Sequence, residues 1–166
     1  MRETIKPPRR FAPPLLVQGG EIPTKLRLVL DTNVWLDWLV FDDPSIATIK
    51  AAVAADRAEV FIDAACEAEL ERVLAYDLGP RRTPDAAARG ACLAECRRVA
   101  RRIESPVPEA ERARLPLCRD SDDQKFLEAA LAARAEFLLT RDRALLELAR
   151  HRVPFRILTP EGFAAV

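Results

Sequence analysis

Apolar and polar positions change rhythm repeatedly along the 166-residue chain. "LRLVLD", ending at Asp31, is a short apolar run of the kind that forms a buried strand. "NVWLDWLV" follows as a short helix, ended by Asp42-Asp43-Pro44. Ser45 is expected to cap a helix over "IATIKAAVAAD". "AEVFI" (58–62) predicts a second strand. Asp63 then caps the helix "AACEAELERVLAYDL", which stops at Gly79-Pro80. Thr83-Pro84-Asp85 has the form of an N-cap with proline at the first helical position, opening a long helix to about Glu104. "SPVPEAERARLPLCR" predicts a loop with room for a short strand. A helix from Asp120 to Ala133, the strand "AEFLLT", the helix "RALLELAR" and the strand "FRILT" complete the pattern.

Strands that alternate with helices predict an α/β domain with a mainly parallel central sheet. Sites in such sheets lie beyond the carboxyl ends of the strands. Asp31 ends one strand, and Asp142 follows another with one residue after Thr140. Two strands therefore each deliver an aspartate to the edge where this architecture binds ligands. Residues 1–24 break the pattern, with 5 of the 13 prolines and Gly19-Gly20. They predict a flexible or extended tail ahead of one domain over 25–166.

About half of the chain is apolar, enough for a sizeable core at this length. Basic and acidic residues balance at 26 each, so net charge says nothing of a partner. Its distribution does: residues 81–119 hold 10 Arg against 5 Asp or Glu, and acids cluster in "RDSDDQKF". On the predicted long helix, Arg97, Arg98, Arg101 and Arg102 lie opposite a stripe of Cys92, Cys96, Val99 and Ile103. That face is either a solvated surface or a patch that tracks a nucleic-acid backbone. Trp35 and Trp38, at helical spacing, are expected in a core or subunit interface rather than as base-stacking platforms.

The four cysteines form no CxxC pair and His151 is the only histidine, so zinc spacing is absent. Reduced, buried thiols in a cytoplasmic protein are the expectation. No apolar run approaches the ~20 residues of a membrane span, and the first twenty residues lack a signal peptide's continuous apolar stretch.

The acids carry the chemistry. Phe126, Leu127 and Ala130 form the apolar stripe of their helix, and Asp123 falls within it. A carboxylate on a buried face is costly unless something compensates. It serves either as a helix N-terminal acid or as a ligand; Asp120 or Ser121 already looks like the cap. In "CEAELERVL", Glu67 and Glu69 flank the stripe of Cys66, Leu70, Val73 and Leu74 on opposite sides, and the helical wheel does not choose between them. Converging carboxylates repel unless a hard cation such as Mg²⁺ or Mn²⁺, which prefers oxygen ligands, joins them. An acidic site without histidine suits metal-assisted phosphodiester hydrolysis.

These segments resemble the PIN-domain ribonucleases, of the kind found as toxins in bacterial toxin–antitoxin pairs. "VLDTNVWL" resembles the family's first acidic motif, "EAELERVL" the second, and "RDSDDQKFLEAALAARAEFLLTRDRALL" the third and fourth run together. The ordered match spans roughly Leu26 to Phe163. The resemblance implies a three-layer α/β/α domain and a Mg²⁺- or Mn²⁺-dependent endoribonuclease. It implies an acidic quartet of Asp31, Glu69, Asp123 and Asp142, with Glu69 favoured over Glu67. Asp31, Asp123 and Asp142 would be metal ligands, with Asp120 as an additional or substitute acid and Asp122 beside it. Asn33 and Thr140 would orient carboxylates from behind. RNA as substrate, an antitoxin protein as partner and a homodimer follow from the same resemblance. Asp63 departs from a Ser or Thr common before the second-motif helix. Arg141 stands where a small residue is common, which bears on access to the site.

Two other functions compete. Haloacid-dehalogenase-like phosphatases also begin with a strand ending in Asp, but need a second Asp two residues on, where this chain has Asn33, and no separate catalytic lysine motif is evident. A metal-free PIN-like interaction module would keep the fold and lose acids, whereas all four positions are filled here.

Overall fold

The computed structural model describes residues 24–166. The expected tail, apart from Thr24, lies outside the described residues. Five strands form one sheet in the order β3-β2-β1-β4-β5, with every adjacent pair parallel. They are β1 (Leu26–Leu30), β2 (Ala58–Ile62), β3 (Ala100–Arg102), β4 (Phe137–Leu139) and β5 (Arg156–Leu158). Leu28, Val29 and Leu30 of the central strand are at most 1% exposed. Side chains on both faces of β1 are thus buried, which is why it reads as a continuous apolar run rather than an alternating one.

Helices cover the sheet in a three-layer α/β/α arrangement. They are α1 (Thr32–Leu36), α2 (Ala47–Ala54), α3 (Ala64–Leu74), α4 (Ala86–Val99), α5 (Glu109–Arg112), α6 (Gln124–Ala132), α7 (Arg143–Glu147) and α8 (Pro160–Ala164). Helix α6 packs across β1, β2 and β4 and against α3, while α2 packs on β2 and against α8. The α6 stripe sinks Phe126, Leu127, Ala129 and Ala130 into the core. From β1 the chain goes to β2 on one side, then returns at β4 on the other side of β1. That reversal opens a crevice beyond the carboxyl ends of β1 and β4.

Several local expectations are corrected. Asp43, not Ser45, caps the turn before α2: its carboxylate accepts the Ser45 N–H at 2.9 Å and the Ser45 hydroxyl at 2.5 Å. Asp85, not Thr83, caps α4 through the Ala88 N–H at 2.8 Å, so Pro84 stands outside the helix. Helix α4 stops at Val99, and Ala100–Arg102 instead pairs with β2, Phe61 opposite Arg101. An open sheet edge supplies backbone partners there that a further helical turn would only duplicate. Arg101 and Arg102 therefore sit on a strand, not on the helix face with Arg97 and Arg98. The stretch expected as loop holds the short helix α5. The first helix ends in a π-helical turn, Asp37–Phe41, closed by Asp42 in the left-handed region at φ 46°. Helix α8, which the sequence pattern did not reveal, is capped by Thr159 and buries Phe163 edge-on against Phe137, with ring centroids 5.4 Å apart.

Trp35 is a core residue, and Trp38 is half-buried beside it with the rings 5.8 Å apart. The four cysteines are free; Cys66, Cys96 and Cys118 are buried. Burial pushes the Cys96 thiol up to about 12, which keeps it protonated and inert. Among the described residues, no helix is long and apolar enough to cross a membrane.

Candidate active site

Asp31 stands one residue beyond β1. Its backbone N–H still joins the sheet, donating to Leu139 of β4 at 3.0 Å, so it lies beside Thr140. The side chain is 2% exposed. One carboxylate oxygen caps α1 by accepting the Val34 N–H at 2.9 Å; the other accepts the Thr140 hydroxyl and, at 3.3 Å, the Arg141 N–H. Burial pushes this carboxyl up to about 6, against the downward pull of the donors from Thr140, Val34 and Arg141.

Thr140 is fully buried and its hydroxyl has two duties. It donates to Asp31 and accepts the Asp142 N–H at 2.9 Å, so one side chain sets the spacing of two acids. Asp142 caps α7 with a single oxygen, Oδ1, which accepts Ala144 N–H at 2.7 Å and Leu145 N–H at 3.2 Å. Its other oxygen takes no hydrogen bond from the described residues. We expect Thr140→Val to cost about 1–3 kcal/mol, because a buried hydroxyl is lost and its partners are left unpaired. Denaturant unfolding in chelator measures this; an unchanged midpoint would count against the Thr140 bridge.

Asp123 is half-buried at the start of α6 and its side chain caps nothing. Asp120 does the capping there, accepting the Asp122 N–H at 3.0 Å. The Asp123 carboxylate has no hydrogen-bond partner among the described residues. Burial first, then the negative fields of Asp142, Asp120, Glu69 and Asp31, push it up to about 7. Carboxylates from three other chain segments thus bear on Asp123 at this edge of the sheet.

The two glutamates of α3 go separate ways. Glu67 is 7% exposed and turned toward α4 and β3, where Arg97 holds it at 2.7 Å and Arg102 also bonds it. Glu69 faces the crevice. It accepts the Thr32 hydroxyl at 2.7 Å and forms an ion pair with Lys125. Asn33 is exposed and bonds no carboxylate among the described residues; its neighbour Thr32 makes that contact instead. Lys125, which a helical wheel turns away from the apolar stripe, is the site residue sequence reasoning missed. A lysine two positions after Asp123, on the acid's own helix, was the available signal.

The expected basic face carries more acid than the sequence suggested. Arg97 and Arg102 hold Glu67, Arg101 reaches Glu59 at 3.0 Å, and Arg98 pairs with Glu95 at 2.7 Å. Two other arginines stand at the acids themselves: Arg119 and Arg143 line an open cleft of about 440 Å³ with Asp120, Ser121, Asp142 and Ala144. Arg141 does not cover the site. Its guanidinium is drawn away by Asp37 at 2.6 Å, Ser45 at 2.6 Å and Glu161 at 2.9 Å.

The donor set suits a hard divalent cation: all oxygens, no histidine, and one carboxylate without a partner in the field of four others. Among the described residues, no three acidic, histidine or cysteine side chains are drawn into a ready-made metal cage. Glu69 is engaged by Lys125. No curated protein matches the chain. A family model described as PIN domain matches residues 27–144, from the central strand through the Asp142 cap. The chain belongs to the PIN-domain family.

Proposed function

We propose that the protein is a metal-dependent ribonuclease that hydrolyses RNA phosphodiester bonds. PIN domains are typically nucleases and generally use divalent metals. The observation that carries the reading is Asp123: half-buried, without a hydrogen-bond partner, and in the field of Asp142, Asp120, Glu69 and Asp31. A fold does not keep such a group for stability. Asp31, Asp123 and Asp142 would hold Mg²⁺ or Mn²⁺, with Glu69 and Asp120 at its margin. When bound, the ion would supply Lewis acidity toward water and toward a phosphodiester. Thr140 and Thr32 orient carboxylates; Asn33, exposed, is a weaker candidate for that role. Arg119 and Arg143 flank the acids as guanidiniums suited to phosphate.

Two parts of the reading rest on resemblance to the toxin ribonucleases: an antitoxin partner and a homodimer. The phosphatase alternative is less well supported, since Asn33 stands where its general acid would be.

The test is incubation of the full chain with single-stranded RNA and, separately, with a phosphomonoester, in chelator and with Mg²⁺ or Mn²⁺. RNA cleavage only with the ion is expected. Release of phosphate from the monoester without RNA cleavage would overturn the proposal. Arg97, Arg98, Arg101 and Arg102 stay as secondary RNA contacts. Because each already holds a carboxylate, replacing all four by Gln is expected to flatten the salt dependence of RNA binding by well under the ~3 that four free charges would give on a single strand. A full change of that size would make them the main RNA surface.

A further inference from the structure

Lys125 is the one side-chain cation, among the described residues, that forms an ion pair with any of Asp31, Glu69, Asp120, Asp123 and Asp142. It is held in place from three directions. Its ammonium pairs with Glu69, donates to the Asp122 carbonyl, and lies 5.3 Å from the centre of the Phe126 ring. Only 19% of its side chain is exposed, and Glu69 is 15% exposed. The pair joins α3 to α6 at the rim of the crevice. Glu69 is held from its other side by Thr32, so the glutamate is fixed between a hydroxyl of the first motif and an ammonium of the third.

We propose that Lys125 is the resident counter-cation of the acidic crevice, competing with the divalent ion for the Glu69 carboxylate. The proposal rests on the metal site set out above. In the metal-free chain Lys125 neutralises one acid and keeps Glu69 oriented. A divalent ion entering the crevice meets a positive charge already in place, and Glu69 must loosen from that charge to face it. Lys125 therefore sets the metal affinity downward and acts as a positioning residue, through Glu69. A lysine that merely clamps α3 to α6 would act on affinity through its charge alone, so its effect would persist undiminished without the Glu69 carboxylate.

Calorimetric titration of Mn²⁺ into the full chain tests this, using wild type, Lys125→Met, Lys125→Arg, Glu69→Gln and the Lys125→Met/Glu69→Gln double variant. Lys125→Met is expected to tighten Mn²⁺ on the order of tenfold, as one unit charge beside a divalent ion is removed in a partly wet site. Lys125→Arg, which keeps the charge, should stay near wild type. The gain from Lys125→Met should shrink in the Glu69→Gln background, because the two residues act through one contact. Lys125→Gln repeats the test with a helix-compatible polar side chain if the Met variant does not fold. Unchanged or weaker Mn²⁺ binding in Lys125→Met and Lys125→Gln, with wild type still binding, overturns the role of Lys125 alone. If wild type binds no Mn²⁺, the metal site itself fails, and the proposal with it.

Discussion

Replacing Asp123 with Asn should abolish cleavage and, in chelator, make the protein more stable. The two effects have one cause. The carboxylate stands without a hydrogen-bond partner in the field of Asp142, Asp120, Glu69 and Asp31, so its charge costs the fold, and in the proposed function it serves a cation. The amide keeps the shape and removes the charge. Residues that merely support a metal ligand cost about 10–100-fold when removed, so loss of a ligand should exceed about 100-fold in the rate of metal-dependent RNA cleavage. Asp142→Asn should lose activity equally and leave stability near wild type, since Asn caps a helix as well as Asp does. Asp31→Asn differs again. Its new amide group meets the Thr140 hydroxyl and the Arg141 N–H, both of which now donate to the carboxylate. The gain from removing a buried charge is offset by a donor facing donors, so activity falls without a rise in stability. Cleavage rates and thermal midpoints of the three variants check this. Full activity in Asp123→Asn, or lower stability in chelator, would identify Asp123 as a structural group.

The metal-free protein should be most stable in mild acid and lose stability as pH rises toward neutrality. Burial first, then neighbouring acids, raise the Asp123 carboxyl from 3.8 to about 7; burial raises Asp31 from 3.8 to about 6. The folded chain therefore holds these protons more tightly than the unfolded chain does. Their contribution is full below the unfolded value of 3.8 and is lost as pH climbs through the folded values. Stability should fall from about pH 4 and level off above about pH 7. Asp123→Asn should remove its share, so the gap between variant and wild type widens across that window. With ~1 kcal/mol worth roughly 2–8 °C in a domain of ordinary size, thermal midpoints at pH 5 and pH 8 in chelator suffice. Parallel wild-type and Asp123→Asn midpoints would contradict the shared field. Adding Mn²⁺ at pH 8 should restore much of the lost stability, because a ligand bound only by the folded state stabilises it.

Much of this was legible in the chain, and the boundary has physical causes. The core strands "LRLVLD" and "AEVFI" announce themselves because both faces are buried, which leaves uninterrupted apolar runs. The alternation of strand and helix gave the parallel α/β class, and the reversal of strand order around β1 then puts Asp31 near Thr140 and Asp142. What a one-dimensional pattern does not carry is partnership across the fold. Arg97 and Arg102 read as a basic face because Glu67, thirty or more positions away, was not visible as their common partner. The strand at Ala100–Arg102 was hidden for the same reason, since only the open edge of β2 makes it a strand. The choice between Glu67 and Glu69 needed α4 and β3 on one side of the helix and Thr32 and Lys125 on the other. The family resemblance gives the orienting role to Asn33, yet it is Thr32, one position earlier on the helix, that turns inward to a carboxylate. A helical wheel turns Lys125 away from the apolar stripe and so hides it, although its ammonium turns toward Glu69 rather than toward water.

A crystal of the full chain soaked in Mn²⁺, with data collected to reveal the anomalous scattering of manganese, tests the central claim most directly. An anomalous peak within ligand distance of the Asp31, Asp123 and Asp142 carboxylates, absent from the Asp123→Asn crystal, is the predicted result. No peak at these acids, or one confined to other surface carboxylates, would contradict it.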